Sequence, residues 1–292
     1  MQKIIAALAL TGASAFVAPS AQRAALKVHA EEDAAEAAPA PAPAAAPTKK
    51  GARKDNVDPS KSQGGLDLAG LQALAYEQNP IVGYFDPLEL SLKEFFDESN
   101  TATIGFLRQA ELKHGRVAMA GFVGYLVHAQ GITWPFKMTL DGDAWPTLGD
   151  GGVPALWDQI PEGAKWQIIA TVGALEWYDE WQYDNPAADM PAMADKPKHY
   201  MRGGKVGAYP KFEGLPLNLY DPFNLFSKAS EEKKARGRNT EVNNGRLAMI
   251  GLMGLLAESK VPGSVPYLDQ FDFPAYAGNV MVPFEGQFSL LG

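Results

Sequence analysis

Two stretches of this chain, 130 residues apart, are near copies of one another. Residues 111–126 read ELKHGRVAMAGFVGYL and residues 241–256 read EVNNGRLAMIGLMGLL. Eight of the sixteen positions are identical: Glu, Gly, Arg, Ala, Met, Gly, Gly and Leu. The likeness extends upstream to FDPLEL at 85–90 and YDPFNL at 220–225. The repeated unit is an Asp-Pro turn, a connector, and a helix marked by E-x-x-[H/N]-x-R. Two copies of one unit place two helices in equivalent settings, and paired repeats of this kind imply a pseudo-two-fold axis between them.

Each copy passes from charged residues to an apolar, glycine-rich run. After Arg116 the first copy carries no Asp, Glu, Lys or Arg as far as Gly131. Three segments approach bilayer-spanning length: Glu111–Gly131, Lys165–Trp181 and Glu241–Lys260, within helices expected at about 101–131, 162–181 and 232–260. About 20 residues cross a hydrocarbon core of roughly 30 Å. Trp166, Trp177 and Trp181 rim the middle segment as an interfacial belt would. The expected fold is an all-α membrane protein of three transmembrane helices, the first and third crossed. A soluble helical protein with apolar core helices is the competing fold. It is disfavoured by the missing polar face and by the charge of the loops. Residues 182–240 carry 10 Lys/Arg, 132–160 carry only Lys137, and 261–292 carry none. Cationic loops stay on the side of insertion, so the N-terminal region and the 182–240 loop share one side, and the 132–160 loop and C-terminal tail share the other.

A lone charge inside a membrane costs about 2.5–3.5 kcal/mol or more. The repeat offers a remedy: Glu111 meets Arg246, and Glu241 meets Arg116, across the contact between the helices. An Arg bond on one carboxylate oxygen leaves the other open. Glu111 and His114, like Glu241 and Asn244, stand at i and i+3 on one helix face. Oxygen and nitrogen donors facing out of an apolar helix pair suit Mg²⁺ ions that each need one protein ligand. Chlorophyll magnesium is such an ion. The repeated glycines 115, 121, 124, 245, 251 and 254 would admit flat rings, pack helices together, or both. A rival use of E-x-x-H is the di-iron carboxylate site of a membrane oxidase. That site needs two such motifs, whereas the second copy reads E-x-x-N and the chain has four histidines in all.

The rest of the composition narrows the field. Net charge is −8 with Lys and Arg scattered, which excludes nucleic acid as a partner. There are no cysteines, hence no disulfide and no thiolate metal site. Mean hydropathy is −0.17, so long polar stretches accompany any spans. Lys3, the run IIAALAL and the small residues TGASA have the order of a signal peptide, with cleavage expected after Ala15. Residues 30–47, AEEDAAEAAPAPAPAAAP, read as a disordered linker. Residues 1–60 are therefore expected to be targeting region and linker, and 61–292 the folded domain.

ELKHGRVAM, EVNNGRLAM and the two Asp-Pro turns together resemble the light-harvesting chlorophyll-binding superfamily over roughly residues 80–270. The branch resembled is that of the chlorophyll a/c antennae, of fucoxanthin or peridinin type, from red-lineage complex plastids. ASAFVAP at 13–19 looks like the junction of bipartite plastid targeting. AESKVPGSVPYL at 257–268 and the Trp-rich 132–160 loop look most like dinoflagellate or related antennae. The resemblance implies axial chlorophyll ligands at Glu111, His114, Glu241 and Asn244, and at Glu176 in the middle helix. It implies two more at Gln167, nine residues before Glu176 where eight is usual, and at Glu258, where the family has glutamine. The repeat maps His128 onto Glu258, since each follows its early partner (His114 or Asn244) by fourteen residues, close to four helical turns. His128 is thus a further expected ligand. The family's carotenoid sites put Asp86, Pro87, Asp221 and Pro222 near carotenoid ends. His199, in KPKHYMRGG, reads as a solvated loop histidine.

The implied cofactors are chlorophyll a, chlorophyll c and xanthophyll carotenoids, namely peridinin or fucoxanthin type and diadinoxanthin. The only metal is chlorophyll magnesium. The implied partners are the core of photosystem I or II, neighbouring antenna subunits and thylakoid lipids. The implied place is the plastid thylakoid membrane, with the N-terminus stromal and the C-terminus lumenal. The protein would harvest light and catalyse no bond chemistry; a photoprotective quencher is the alternative role on the same fold.

Overall fold

The computed structural model describes residues 65–95, 98–183, 197–208, 228–271, 273–280 and 282–284. All lie in the second of two compact units, Met1–Lys54 and Asp55–Gly292. The targeting region and linker expected over 1–60, and the Asp221–Pro222 turn, fall outside the described residues.

Among the described residues the chain is helical, with no strand. The helices are α1 (Leu68–Gln78), α2 (Asn100–Ala129), the single turn α3 (Ala155–Asp158), α4 (Glu162–Trp181) and α5 (Glu231–Lys260). Short 3-10 turns cover Leu90–Leu92, Tyr200–Arg202 and Leu268–Gln270. α2 and α5, with 30 residues each, are about 45 Å long, and α4, with 20, is about 30 Å long. Serines open both long helices: the Ser99 side chain accepts from Ala102 N–H and Ser230 from Lys233 N–H, supplying donors at the helix start with a partner. α2 stops at Gly131, whose φ of +69° a side chain would resist.

No helix among the described residues is long and apolar enough to cross a membrane. The reason is where the charges fall. α2 begins at Asn100, so Arg108, Glu111, Lys113 and Arg116 sit in its middle rather than at its head. The uncharged remainder, 117–129, has 13 residues and extends about 20 Å; its counterpart in α5, 247–257, has 11 and extends about 16 Å. Both fall short of a hydrocarbon core of roughly 30 Å.

α2 and α5 touch backbone to backbone. A Cβ built on Gly115 would stand 3.0 Å from Gly245 Cα, and one on Gly245 would stand 2.9 Å from Gly115 Cα. Further along, a Cβ on Gly121 would meet Leu252 at 3.1 Å and one on Gly251 would meet Phe122 at 3.2 Å. Gly124 and Gly254 face open space. Each contact has its counterpart 130 residues on, and the helices diverge from the glycine pair. Tyr125 bridges the wider end, its hydroxyl 3.1 Å from Ser259 Oγ.

Two other elements brace this pair. α1 lies against both long helices; Asn243 Nδ2 donates to Gln78 O at 2.9 Å. The segment 197–207 folds onto α2, burying Tyr200 and Val206 with Tyr183 against Phe106 and Leu112. Gly105 lets it in: a Cβ there would come 2.5 Å from Tyr200 O.

Candidate pigment-binding site

Where α2 and α5 meet, four charges form two bonds. Arg116 Nε donates to Glu241 Oε1 at 2.6 Å, and Arg246 Nε donates to Glu111 Oε1 at 2.6 Å. The side chains involved are 20–35% exposed. Each carboxylate is thus held and neutralised on one oxygen, and a carboxylate has a second oxygen to offer. The two pairs are not identical. Arg116 also donates through Nη2 to Gly207 O at 2.8 Å, and Gly207 N–H donates to buried Gln109 Oε1 at 2.7 Å. This ties the 197–207 segment to the first pair alone.

The neighbouring donors fit a magnesium that wants one ligand. His114 is exposed, and its Nδ1 lies 2.8 Å from Ala110 O. A carbonyl only accepts, so in the neutral ring Nδ1 carries the proton and the lone pair sits on Nε2. Asn244 is half-buried, and its side chain makes no hydrogen bond among the described residues. Glu111, His114, Glu241 and Asn244 are therefore brought together around one helix contact.

α4 contributes Glu176, 58% exposed, with Oε2 2.6 Å from Lys113 Nζ of α2. Lys113 also reaches Asp179 Oδ2 at 3.0 Å. Gln167 is exposed on α4. Nine residues are two and a half turns, so Gln167 and Glu176 point to opposite sides of the helix and cannot serve one face.

The late positions differ from each other. His128 is exposed in the last turn of α2. Glu258 is 2% exposed, and its two oxygens accept from Gly263 N–H at 2.6 Å and Val265 N–H at 2.9 Å. A local loop thus covers the carboxylate expected to hold a magnesium, and each of its oxygens already accepts a hydrogen bond. His199 also departs from the solvated loop residue expected. Its side chain is 14% exposed; Nδ1 accepts from Met201 N–H at 3.2 Å, and Nε2 lies 2.9 Å from Glu180 Oε2. Burial pushes the neighbouring Tyr183 hydroxyl up to about 12, and pushes Tyr200 up as well. Tyr200 therefore keeps its proton and donates it to Glu180 at 2.9 Å.

Asp86 anchors its turn. Its carboxylate accepts from Leu90 N–H at 3.0 Å and Ser91 N–H at 2.9 Å, and from Ser91 Oγ at 2.6 Å. Partial burial pushes the Asp86 carboxyl up, but these bonds outweigh it and hold it below the usual carboxylate range. Pro87 is exposed beside it. Among the described residues no three of His, Cys, Asp and Glu converge as a metal-holding group.

Sequence reasoning missed three participants. Lys113 lay inside the repeat but was given no partner; its mismatch with Asn243 was the available signal. Gln109 and Asn239, following Arg108 and Arg238, show that the repeat extends upstream of Glu111 and Glu241. α1 was not foreseen, although Asp67 before LAGLQALAYEQ is a capped helix start.

Comparison with known proteins gives the family. The family described as Chlorophyll A-B binding protein matches residues 72–260. A fucoxanthin-chlorophyll a-c binding protein of Trieres chinensis is 28% identical over 195 residues, covering 65% of this chain and 80% of the relative. Fucoxanthin-chlorophyll a-c binding protein F of Phaeodactylum tricornutum is 31% identical over 185 residues, covering 62% and 76%. A protein F of the same description from Macrocystis pyrifera is 27% identical over 211 residues, covering 72% and 83%. The match takes in α2, α4 and α5 entire, with the paired charges and the donors beside them, and the chain belongs to the chlorophyll A-B binding family of light-harvesting proteins, in its chlorophyll a/c antenna branch.

Proposed function

We propose that this protein is a three-span antenna of the plastid thylakoid. It binds chlorophyll a, chlorophyll c and xanthophyll carotenoids and passes excitation energy to a photosystem directly or through neighbouring antenna subunits. The observation that carries the reading is the reciprocal pair of bonds, Arg116 to Glu241 and Arg246 to Glu111. Together they set four charges to zero in the middle of two long helices. Hydropathy counts each charge singly and so undervalues helices whose charges neutralise one another.

The outward faces support a lipid and pigment setting. Val117, Leu247 and Ile250 are 72%, 64% and 72% exposed, and α4 buries only Lys165 and Asp179. So much apolar surface marks an interaction face. Trp166 near one end of α4 and the stacked Trp177–Trp181 pair at the other suit two interfaces. In this reading α2 and α5 are related by a pseudo-two-fold axis through Gly115 and Gly245. The basic 182–240 region and the N-terminus are stromal, and the 132–160 loop and C-terminus lumenal.

Chlorophyll, when bound, would supply the absorbing and transferring states, each held through one donor of the chain. The chain's own residues do the rest. Glu111, His114, Glu241, Asn244 and Glu176 offer donors at fixed positions, and His128 offers one at the far end of α2. Arg116 and Arg246 hold two carboxylates in place and cancel their charge. Gly124 and Gly254, open on the outer surface, let flat groups approach the backbone. By the family resemblance, Asp86–Pro87 and Asp221–Pro222 would serve carotenoid ends. Fixed position and orientation are the protein's contribution.

Pigment extraction from the purified full chain tests the reading. Chlorophyll a, chlorophyll c and a xanthophyll are expected; a chain folded without chlorophyll would sink it. Orientation has its own test. Protease added to intact, unstacked thylakoids should cut at exposed Lys228 or Lys233. Cleavage between Asp141 and Asp150 instead would reverse the topology.

A further inference from the structure

The two copies of the repeat differ at two polar positions, 113/243 and 114/244, and the difference at the first has a structural counterpart. Position 113 is lysine in the first copy; its equivalent, 243, is asparagine. Asn243 faces α1, donating to Gln78 O at 2.9 Å. Lys113 faces α4, with Nζ 2.6 Å from Glu176 Oε2 and 3.0 Å from Asp179 Oδ2. At this position each helix of the pair therefore contacts one outer helix. α4 brings no cation of its own to this end: its one basic residue is Lys165, whose Nζ lies 3.4 Å from Asp158 O near the other end.

The geometry points to Lys113 as the positioning residue for the magnesium donor of α4, a role resting on the antenna reading above. Glu176 and Asp179 stand at i and i+3, so one ammonium reaches both. The two carboxylates are not equivalent. Asp179 is 7% exposed and turned inward, and it fixes Lys113 from the protein side. Glu176 is 58% exposed and makes no hydrogen bond through Oε1 among the described residues. Lys113 thus holds Glu176 by one oxygen and leaves the other facing outward. A long glutamate on an open helix face would otherwise sample several rotamers, and fixing it costs entropy. Two carboxylates and one ammonium leave a net charge of minus one, whereas the pairs between α2 and α5 are neutral. The α4 donor is therefore the most anionic of the carboxylate donors.

The chain has no cysteine, so spin labels can be placed singly at Ala120→Cys on α2 and Ala170→Cys on α4 to report their separation. The full-length chain is refolded with a thylakoid pigment extract, and chlorophyll per polypeptide and the label distance are both read. Glu176→Ala should lose one chlorophyll. Lys113→Met should lose the same one, and Lys113→Arg should keep it. The double change Lys113→Met with Asp179→Asn strands no buried carboxylate. It should keep the label distance yet still lack that chlorophyll. If the double variant regains the pigment, Lys113 merely compensates Asp179 and the positioning role is overturned. A shifted label distance in the double variant would make Lys113 a helix clamp and overturn it too. If Lys113→Met keeps every pigment while Glu176→Ala loses one, positioning fails and the antenna reading stands. If Glu176→Ala loses none, the donor assignment itself fails, and the role of Lys113 with it.

Discussion

The central contact and the far end of the α2–α5 pair treat the same repeat in opposite ways. At the glycine contact the copies are equivalent: Gly115 faces Gly245, and each glutamate bonds the other copy's arginine at 2.6 Å. Fourteen residues beyond His114 and Asn244 the equivalence is gone. His128 is exposed in the last turn of α2, whereas Glu258 is tucked under the chain that follows α5. The cause is the connection, not the helix. After α5 the chain folds straight back: Gly263 and Val265 N–H bond Glu258, Tyr276 N–H bonds Ser259 O at 2.8 Å, and Lys260 Nζ reaches Gly278 O at 2.6 Å. After α2 the chain turns at Gly131 and leaves. Symmetry is kept where unpaired charge would be costly, and lost where each copy meets a different neighbour.

The largest expected effect lies at the glycines. Gly115→Leu or Gly245→Leu drives a side chain into backbone less than about 3 Å away, a clash no rotamer relieves. Overpacking typically costs about 1–3 kcal/mol, and here it wedges apart the helices that carry four donors. Either variant should lose most of its chlorophyll on refolding with pigment. Gly124→Leu, at an open position, should refold but bind less pigment. If Gly115→Leu binds pigment normally, the two backbones are not in contact.

A smaller effect separates the two late positions. His128→Ala should remove one chlorophyll per polypeptide and leave those at His114 and Asn244. Glu258→Gln should remove none, but it replaces one acceptor oxygen facing a backbone N–H with a donor. It should lower the melting temperature and loosen residues 261–276 in hydrogen exchange. The reverse pattern, pigment lost from Glu258→Gln and none from His128→Ala, would restore the late ligand to α5.

The smallest effect belongs to the Asp86 turn. Its carboxyl is held below the ordinary value of 3.8. The stability it adds is therefore present above that value and is lost as pH falls through the lowered one. Protection of the Leu90 and Ser91 amides should be unchanged between pH 7 and 5 and should fall only below pH 3.8. Loss of protection already at pH 5 would mean the carboxylate does not hold the turn.

The charge pairs were legible because a repeat turns two lone charges into complementary ones, with no need to know helix ends. That the donors beside them share a helix face followed from i, i+3 spacing, and their role as ligands came from the family resemblance. The fates of Glu258 and His199 were not legible. Each is decided by a segment that returns from elsewhere, 261–276 for one and 197–207 for the other, and no local pattern in KPKHYMRGG announces that Glu180 will be its partner. α1 escaped notice because its contact face is short and only half-buried: Leu71, Leu74, Ala75 and Gln78 line a pocket with Glu111 and Arg246 of the long helices. The apolar length of α2 was overread because Glu111–Gly131 counts the charged turn from Glu111 to Arg116 as part of the span, although the helix expected at about 101–131 begins, as expected, near Asn100.

The most direct test of the central claim is a pair of double-mutant cycles on the full-length pigment complex, followed by denaturant unfolding in detergent. One cycle joins Arg116→Leu with Glu241→Gln; the other joins Arg246→Leu with Glu111→Gln. Removing one arginine strands a carboxylate and should cost about 3 kcal/mol. Each double variant should be more stable than the sum of its singles by about 0.5–3 kcal/mol. Arg116→Leu should cost more than Arg246→Leu, because it also releases Gly207. Additive losses in both cycles would contradict the claim that paired charges hold the two copies of the repeat together.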